Sequence, residues 1–134
     1  MRLSSLAQMI VIALGVAVSG VTSATAFEHK KFDPTAFAAA QGSNRAILVD
    51  ISATWCPTCK AQHRVLESLA KRPDFAELLV FEVDFDAQKE VVKSFNAQQQ
   101  STLIAFKGAH ETHRLVGETG AVPIEELLKT ALKP

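Results

Sequence analysis

Residues 47–60, ILVDISATWCPTCK, constrain the fold and chemistry of this chain more than any other stretch. The run Ala46–Ile51 is apolar except for Asp50, which is typical of a central strand buried on both faces. This strand delivers two cysteines to the start of a helix predicted over residues 56–71. Cys56 and Cys59 are the only cysteines of the 134 residues, so any disulfide within one chain must join them.

The placement of these cysteines favours dithiol–disulfide exchange. Unpaired N–H groups and the helix dipole at a helix N-terminus favour a thiolate at Cys56. Cys59, one turn later on the same face, can attack a mixed disulfide on Cys56 and release the product. We therefore predict Cys56 as the nucleophile and Cys59 as the resolving cysteine. A purely structural disulfide is the alternative, but so small a loop would constrain the unfolded chain very little.

The first 26 residues have the pattern of a secretory signal peptide. A basic residue, Arg2, precedes an apolar run from Leu6 to Val18 that only Gln8 interrupts, and small residues follow at 24–26. We predict a signal peptide, cleaved from the mature protein, over residues 1–26 and one domain over 27–134, in an exported or periplasmic protein. An uncleaved membrane anchor is the alternative, although the apolar run is short for a membrane span.

The charge of the predicted domain gives no reason to expect a nucleic-acid partner. Residues 27–134 contain 13 basic and 14 acidic residues, a formal net charge of −1, with no basic patch. About 108 residues are enough to bury one modest core.

Hydrophobic periodicity and turn residues predict the order α-β-α-β-α-β-β-α for this domain. Strands joined by helical crossovers in the first half, followed by a hairpin and a helix, indicate the α/β class. Its central mixed sheet is flanked by helices. The predicted helices are 32–41, 56–71, 87–95 and 123–132, and the predicted strands are 45–52, 79–85, 102–107 and 112–117.

The motif Ile-Leu-Val-Asp-x-x-Ala-x-Trp-Cys-x-x-Cys-Lys at residues 47–60 resembles the thioredoxin superfamily. Its Trp-Cys-Pro-Thr-Cys core is most similar to the periplasmic thioredoxins of cytochrome c maturation, and a weaker resemblance extends over residues 30–133. The resemblance implies the thioredoxin fold and an exported thiol–disulfide oxidoreductase that reduces protein disulfides. It implies no cofactor beyond the redox-active Cys56–Cys59 disulfide and no metal. The implied partners are a disulfide-containing exported protein and a membrane thiol electron donor, and we expect a monomer.

Two acidic residues are expected to tune the cysteines. An isolated buried charge at Asp50 is costly and needs a partner; in thioredoxins the matching aspartate helps move the proton of the resolving cysteine. Thioredoxins usually carry a lysine where this chain has Glu82. A second carboxylate behind the cysteines would couple to the first and make Cys56 a less acidic thiol. An outward-facing Glu82 would remove this effect.

The resemblance also implies a substrate surface around the cysteines, with one clear departure from the family. Thioredoxins have a cis-proline loop facing the cysteines, but Ser101 stands in the proline position here. A cis bond before a residue other than proline costs about 2.5–4 kcal/mol, so we expect a trans Gln100–Ser101 peptide. The predicted substrate-contacting residues are Trp55, Pro57, Thr58, Gln100, Ser101, Thr102 and Gly117.

Other functions remain open at this level. A disulfide oxidase or isomerase would use the same fold and differ in reduction potential. A metal-binding or chaperone module would use the two cysteines as ligands. His63 shares a helix face with Cys59 and is expected to be a surface residue. His110 and His113 lie in or beside a turn, where no metal site is predicted.

Overall fold

A five-stranded mixed sheet in the order β1-β3-β2-β4-β5 organises the protein. The structure is a computed structural model that describes residues 26–134, so all but the last residue of the predicted signal peptide lies outside the described residues. Strands β1, β3 and β2 run parallel, β4 runs antiparallel to β2, and β5 runs antiparallel to β4. The strands are β1 Glu28–Lys31, β2 Ala46–Ser52, β3 Leu78–Asp84, β4 Thr102–Lys107 and β5 His110–Val116.

Within residues 26–134 four α-helices flank the sheet, and local capping explains the starts of the first two. Asp33 caps α1 by accepting a hydrogen bond from the amide of Ala36 at 2.8 Å, and Pro34 occupies the first helical position. Pro57 opens α2 in the same way, directly after Cys56. The helices are α1 Pro34–Gly42, α2 Pro57–Leu69, α3 Lys89–Ser94 and α4 Ala121–Leu132. Within residues 26–134 no helix is long and apolar enough to cross a membrane.

The predicted element order lacks β1. All four residues of this strand, EHKK, are exposed, so they carry none of the apolar alternation that marks a half-buried strand. The strand forms because it adds a parallel row of hydrogen bonds to the edge of β3, and its charged residues suit an edge position. With β1 included, the predicted α/β class and central mixed sheet are confirmed.

Two apolar cores, one on each face of the sheet, fix the strands relative to the helices. On one face Leu48 and Val80 pack with side chains of α2 and α4, among them Leu66 and Leu127. Because side chains alternate along a strand, Asp50 and Glu82 point to the same face as Leu48 and Val80. The opposite face, with α1 and α3, holds a cluster of aromatic rings: Phe32, Phe37, Phe81, Phe95 and Phe106.

Candidate active site

The two cysteines lie at the N-terminus of α2 and are joined by a disulfide. Cys56 has extended backbone dihedrals and caps the helix, and the amide of Cys59 donates to its Sγ at 3.0 Å. Their Cα atoms are 5.3 Å apart, and the residues are 2% and 0% exposed, respectively. After reduction the same amide and the helix dipole are placed to stabilise a thiolate on Cys56. The predicted pairing is confirmed.

Trp55 forms an exposed rim beside the disulfide. Its side chain is 57% exposed, and its indole N–H donates to Asp86 Oδ2 at 2.7 Å. Pro57 is also exposed and Thr58 is half-buried. Trp55 is therefore an exposed platform at the start of α2, and substrate contact by these three residues remains a prediction.

The loop that leads into β4 adopts an unusual backbone conformation at Ser101. No peptide bond in residues 26–134 is cis, which confirms the trans Gln100–Ser101 peptide, and Ser101 has a left-handed φ of +57°. The Ser101 hydroxyl donates to the Gln100 carbonyl at 2.5 Å, and the Thr102 hydroxyl donates to the Gln99 carbonyl at 2.8 Å. Both side chains are buried. These side chains therefore make local hydrogen bonds, Gln100 is half-buried, and substrate contact by the three residues remains a prediction.

A buried glutamine ties this loop to the cysteine helix. The side-chain amide of Gln62 donates to the carbonyls of Ser101 at 3.1 Å and Glu118 at 2.9 Å, and the residue is 0% exposed. The Ser101 carbonyl also accepts from the amide of Gly117 at 2.9 Å, so Gly117 does lie beside the loop, with a φ of +69°. Sequence reasoning missed Gln62. The available signal was a polar residue three positions after Cys59, on the helix face that buries Leu66.

Asp50 meets a histidine instead of a strand lysine. Asp50 is 3% exposed, and its Oδ2 lies 2.7 Å from His63 Nε2. The hydrogen bond to Asp50 raises the pKa of His63 above its ordinary value, with smaller contributions from the negative charges of Glu82 and Glu67. Asp50 Oδ1 is buried with no hydrogen-bond partner among residues 26–134.

The expectation that His63 is a surface histidine is therefore incomplete. Its side chain is 42% exposed, yet its inner end is bonded to the buried carboxylate. The signal that could have found it was the spacing of four residues from Cys59, which places both on one helix face.

Glu82 lies directly beside Asp50 in the sheet, but its carboxylate has a different partner. The two residues are in register across β3 and β2, whereas Glu82 Oε1 lies 3.0 Å from His29 Nδ1. The Glu82 side chain is 50% exposed. The histidine comes from β1, the strand that the sequence did not predict, so the expected pair of facing carboxylates is replaced by two adjacent histidine–carboxylate pairs. Tuning of the cysteine pKa by Glu82 stays a prediction.

The remaining histidines lie away from any group of metal ligands. His110 and His113 are exposed on β5. In the part of the chain that the structure describes, no three His, Cys, Asp or Glu side chains are arranged to hold a metal ion.

A disulfide of this spacing at the start of a helix that packs on this sheet defines a thiol–disulfide oxidoreductase. The chain belongs to the thioredoxin family, whose sequence profile matches residues 26–130. Proteins of this family act on disulfide-containing protein substrates and are generally monomeric.

Individual relatives agree with this assignment. A thioredoxin from Mycolicibacterium smegmatis is 35% identical over 92 residues, which cover 68% of this chain and 82% of that protein. A thioredoxin H-type protein from Brassica campestris is 33% identical over 91 residues, covering 68% and 72%. A bifunctional thioredoxin reductase/thioredoxin from Mycobacterium leprae is 36% identical over 88 residues, covering 66% of this chain and only 19% of that larger protein.

Solved structures show the same fold. Trxlp from Edwardsiella tarda superposes with a TM-score of 0.73 at 40% identity, covering 75% of this chain and 98% of that one. A thioredoxin from Malassezia sympodialis gives a TM-score of 0.71 at 19% identity, covering 83% and 96%, and supports the fold alone.

Proposed function

We propose that this thiol–disulfide oxidoreductase is exported, works as a reductase of disulfides in exported proteins, and is re-reduced by a membrane thiol donor. The observation that carries the chemistry is the Cys59 amide directed at Cys56 Sγ at the start of α2. Export is supported by the signal-peptide pattern of residues 1–26, and the reductive direction by the similarity of Trp-Cys-Pro-Thr-Cys to periplasmic thioredoxins of cytochrome c maturation.

The proposed reaction begins from the reduced protein. The Cys56 thiolate attacks one sulfur of a substrate disulfide; a Cys56–substrate disulfide forms, and the other substrate sulfur leaves as a thiolate. Cys59 then loses its proton and attacks Cys56 Sγ, which restores the Cys56–Cys59 disulfide and releases the second substrate sulfur. Two electrons pass from the protein to the substrate, whose two thiolates take up protons.

The direction of the reaction requires a source of electrons. Each cycle leaves Cys56 and Cys59 oxidised, so a dithiol partner must reduce them before the next substrate binds. Cytoplasmic reductants do not reach an exported protein, and a dithiol carried by a membrane protein is the class of donor that fits.

The deciding measurement is the reduction potential of the full-length chain in thiol buffers, followed by the fluorescence of Trp55, the only tryptophan. Thioredoxin lies near about −270 mV and a strong periplasmic oxidant near about −120 mV. A value below roughly −220 mV supports a reductase. A value above roughly −180 mV would make the protein a disulfide donor or isomerase instead.

Single-cysteine variants test the assigned chemistry. We expect Cys59→Ala to accumulate a mixed disulfide with a protein substrate, because Cys56 can attack and nothing resolves the adduct. Cys56→Ala should form almost none. Mass spectrometry after acid quenching counts the adducts, and equal yields from the two variants would reject the roles given to the cysteines.

A further inference from the structure

We infer that His63 links buried Asp50 to the solvent in the resolving step, releasing one proton to water as Asp50 takes up the proton of Cys59, and so sets the pH dependence of that step. This inference rests on the proposed thiol–disulfide exchange. Both Cys59 and Asp50 are shielded from solvent. Cys59 is 0% exposed and Asp50 is 3% exposed, so neither can exchange a proton with water directly. Of the residues that the structure describes, only His63 hydrogen-bonds to the Asp50 side chain.

The geometry places His63 between the buried Asp50 carboxylate and the surface, on the helix that carries Cys59. Cys59 and His63 are four residues apart on α2 and therefore share a helix face. The His63 ring reaches from that face to Asp50 Oδ2 at 2.7 Å, so the carboxylate lies beneath the first turns of α2. Its other oxygen, Oδ1, has no partner in residues 26–134 and is free to accept a proton. The outer part of the His63 side chain, 42% exposed, is in contact with water.

The proton balance of the resolving step follows from this arrangement. The Cys59 thiol gives its proton to the Asp50 carboxylate as Cys59 Sγ attacks Cys56 Sγ. Neutralising Asp50 removes the interaction that keeps His63 protonated, and the imidazolium releases its Nδ1 proton to water. The neutral ring keeps its Nε2 proton, so Asp50 holds the proton taken from Cys59 until the disulfide is reduced again, when both proton transfers run in reverse. One proton leaves Cys59 and one proton reaches the solvent, with no oxidant or reductant beyond the two cysteines and the substrate.

The charged groups around His63 favour its protonated form in the resting protein. Asp50 faces it from β2, Glu82 from β3 and Glu67 from α2 itself, and the three together raise the pKa of His63. Glu82 is in turn bonded to His29 of β1. The ordinary pKa of a histidine lies closer to neutral pH than that of any other side chain, whereas a lysine in contact with a carboxylate would stay charged throughout.

The test compares His63→Gln with a matched control, His113→Gln, whose histidine is exposed on β5. The full-length reduced protein is mixed with insulin between pH 5.5 and 9, quenched with acid, and the mixed disulfide on Cys56 is counted by mass spectrometry over time. In wild type and H113Q we expect the decay of this adduct to show an inflection at the His63 pKa, measured separately by NMR. In H63Q the inflection should disappear and decay should slow about tenfold, short of the roughly hundredfold or more supplied by a base in direct contact. Adduct formation should keep its pH profile.

Two results would overturn the inference: an H63Q decay profile that matches wild type, or equal slowing of adduct formation and decay, which indicates a structural defect. Should H63Q not fold, the wild-type protein still decides, because an inflection that does not coincide with the NMR pKa of His63 rejects the relay. If the proposed thiol–disulfide exchange itself is wrong, wild type and Cys59→Ala would form no adduct at any pH.

Discussion

Gln62 donates its side-chain amide to the carbonyl oxygen of Ser101 at 3.1 Å, and this bond joins the cysteine helix to the loop that leads into β4. The same amide donates to the Glu118 carbonyl at 2.9 Å, so one buried side chain holds two irregular segments against α2. In this protein the loop has no proline to fix its shape. Its conformation depends instead on hydrogen bonds from Gln62 and Gly117, which lie outside the loop.

We expect Gln62→Leu to lower the free energy of unfolding by about 2 kcal/mol, because the partly buried Glu118 carbonyl loses its side-chain donor and the Ser101 carbonyl keeps only the Gly117 amide. Urea denaturation measures the change. Gln98→Leu, at an exposed position close to the loop, is the control and should change stability by less than about 0.5 kcal/mol. Equal stability of Q62L and wild type would show that these bonds contribute nothing net.

Ser101 offers a second test, based on its backbone. A φ of +57° is readily adopted by glycine and is poorly tolerated by β-branched residues. Ser101→Val should therefore destabilise the protein by about 2 kcal/mol. Ser101→Gly should stay within about 1 kcal/mol of wild type, since relief of strain offsets the greater freedom of the unfolded chain. Thermal unfolding of both variants checks this, and a valine variant as stable as the glycine variant would exclude a strained loop.

The hydrogen bond between Trp55 and Asp86 leads to a prediction about substrates. With the indole N–H held at 2.7 Å from Asp86, the exposed ring has a fixed orientation beside Cys56. We expect Asp86→Ala to lower kcat/KM for insulin several-fold while the reaction with dithiothreitol, which is too small to need the platform, changes little. Glu90→Ala, an exposed acidic residue on α3, is the control. A proportional loss with both substrates would indicate that Asp86 acts on the disulfide itself.

The sequence was sufficient to predict the sheet, the cysteine pair and its helix, because these depend on local patterns. Apolar runs mark β2 and β3, and the two-residue spacing of Cys56 and Cys59 places them together at a helix start. The edge strand β1 was missed because four exposed polar residues carry no periodic signal; it forms only when β3 is there to pair with it.

The partners within the site were not predictable for the same kind of reason. The contact of His63 with Asp50 exists only after α2 packs on β2, and that of His29 with Glu82 requires β1. A pattern can place a residue on a helix face or in a strand. It cannot tell which of several nearby carboxylates a histidine will reach, since that depends on the packing of separate elements.

Glu82 gives a further test of the charges at the site. Its negative charge contributes to the raised pKa of His63, so Glu82→Lys should lower the His63 pKa, as followed by NMR titration of the ring protons. Glu90→Lys makes the same change of charge on exposed α3 and should leave His63 almost unchanged. If both substitutions shift the His63 pKa equally, the effect comes from net charge and not from the position of Glu82 beside Asp50.

Asp50→Asn should have the largest effect on His63, because the hydrogen bond to Asp50 is the main cause of its raised pKa. In wild type, the raised pKa means that the folded state holds a proton which the unfolded state releases near pH 6.5. The resulting stabilisation is complete below about pH 6.5 and is lost as the pH rises through the pKa of His63 in the folded protein. Since the side chain is 42% exposed, solvent screening limits it to about 1 kcal/mol or less. We therefore expect the free energy of unfolding, measured with urea from pH 5.5 to 9, to fall across this range more steeply in wild type than in D50N. His113→Gln should retain the wild-type slope, and a D50N slope equal to that of wild type would mean that the pair is not coupled to folding.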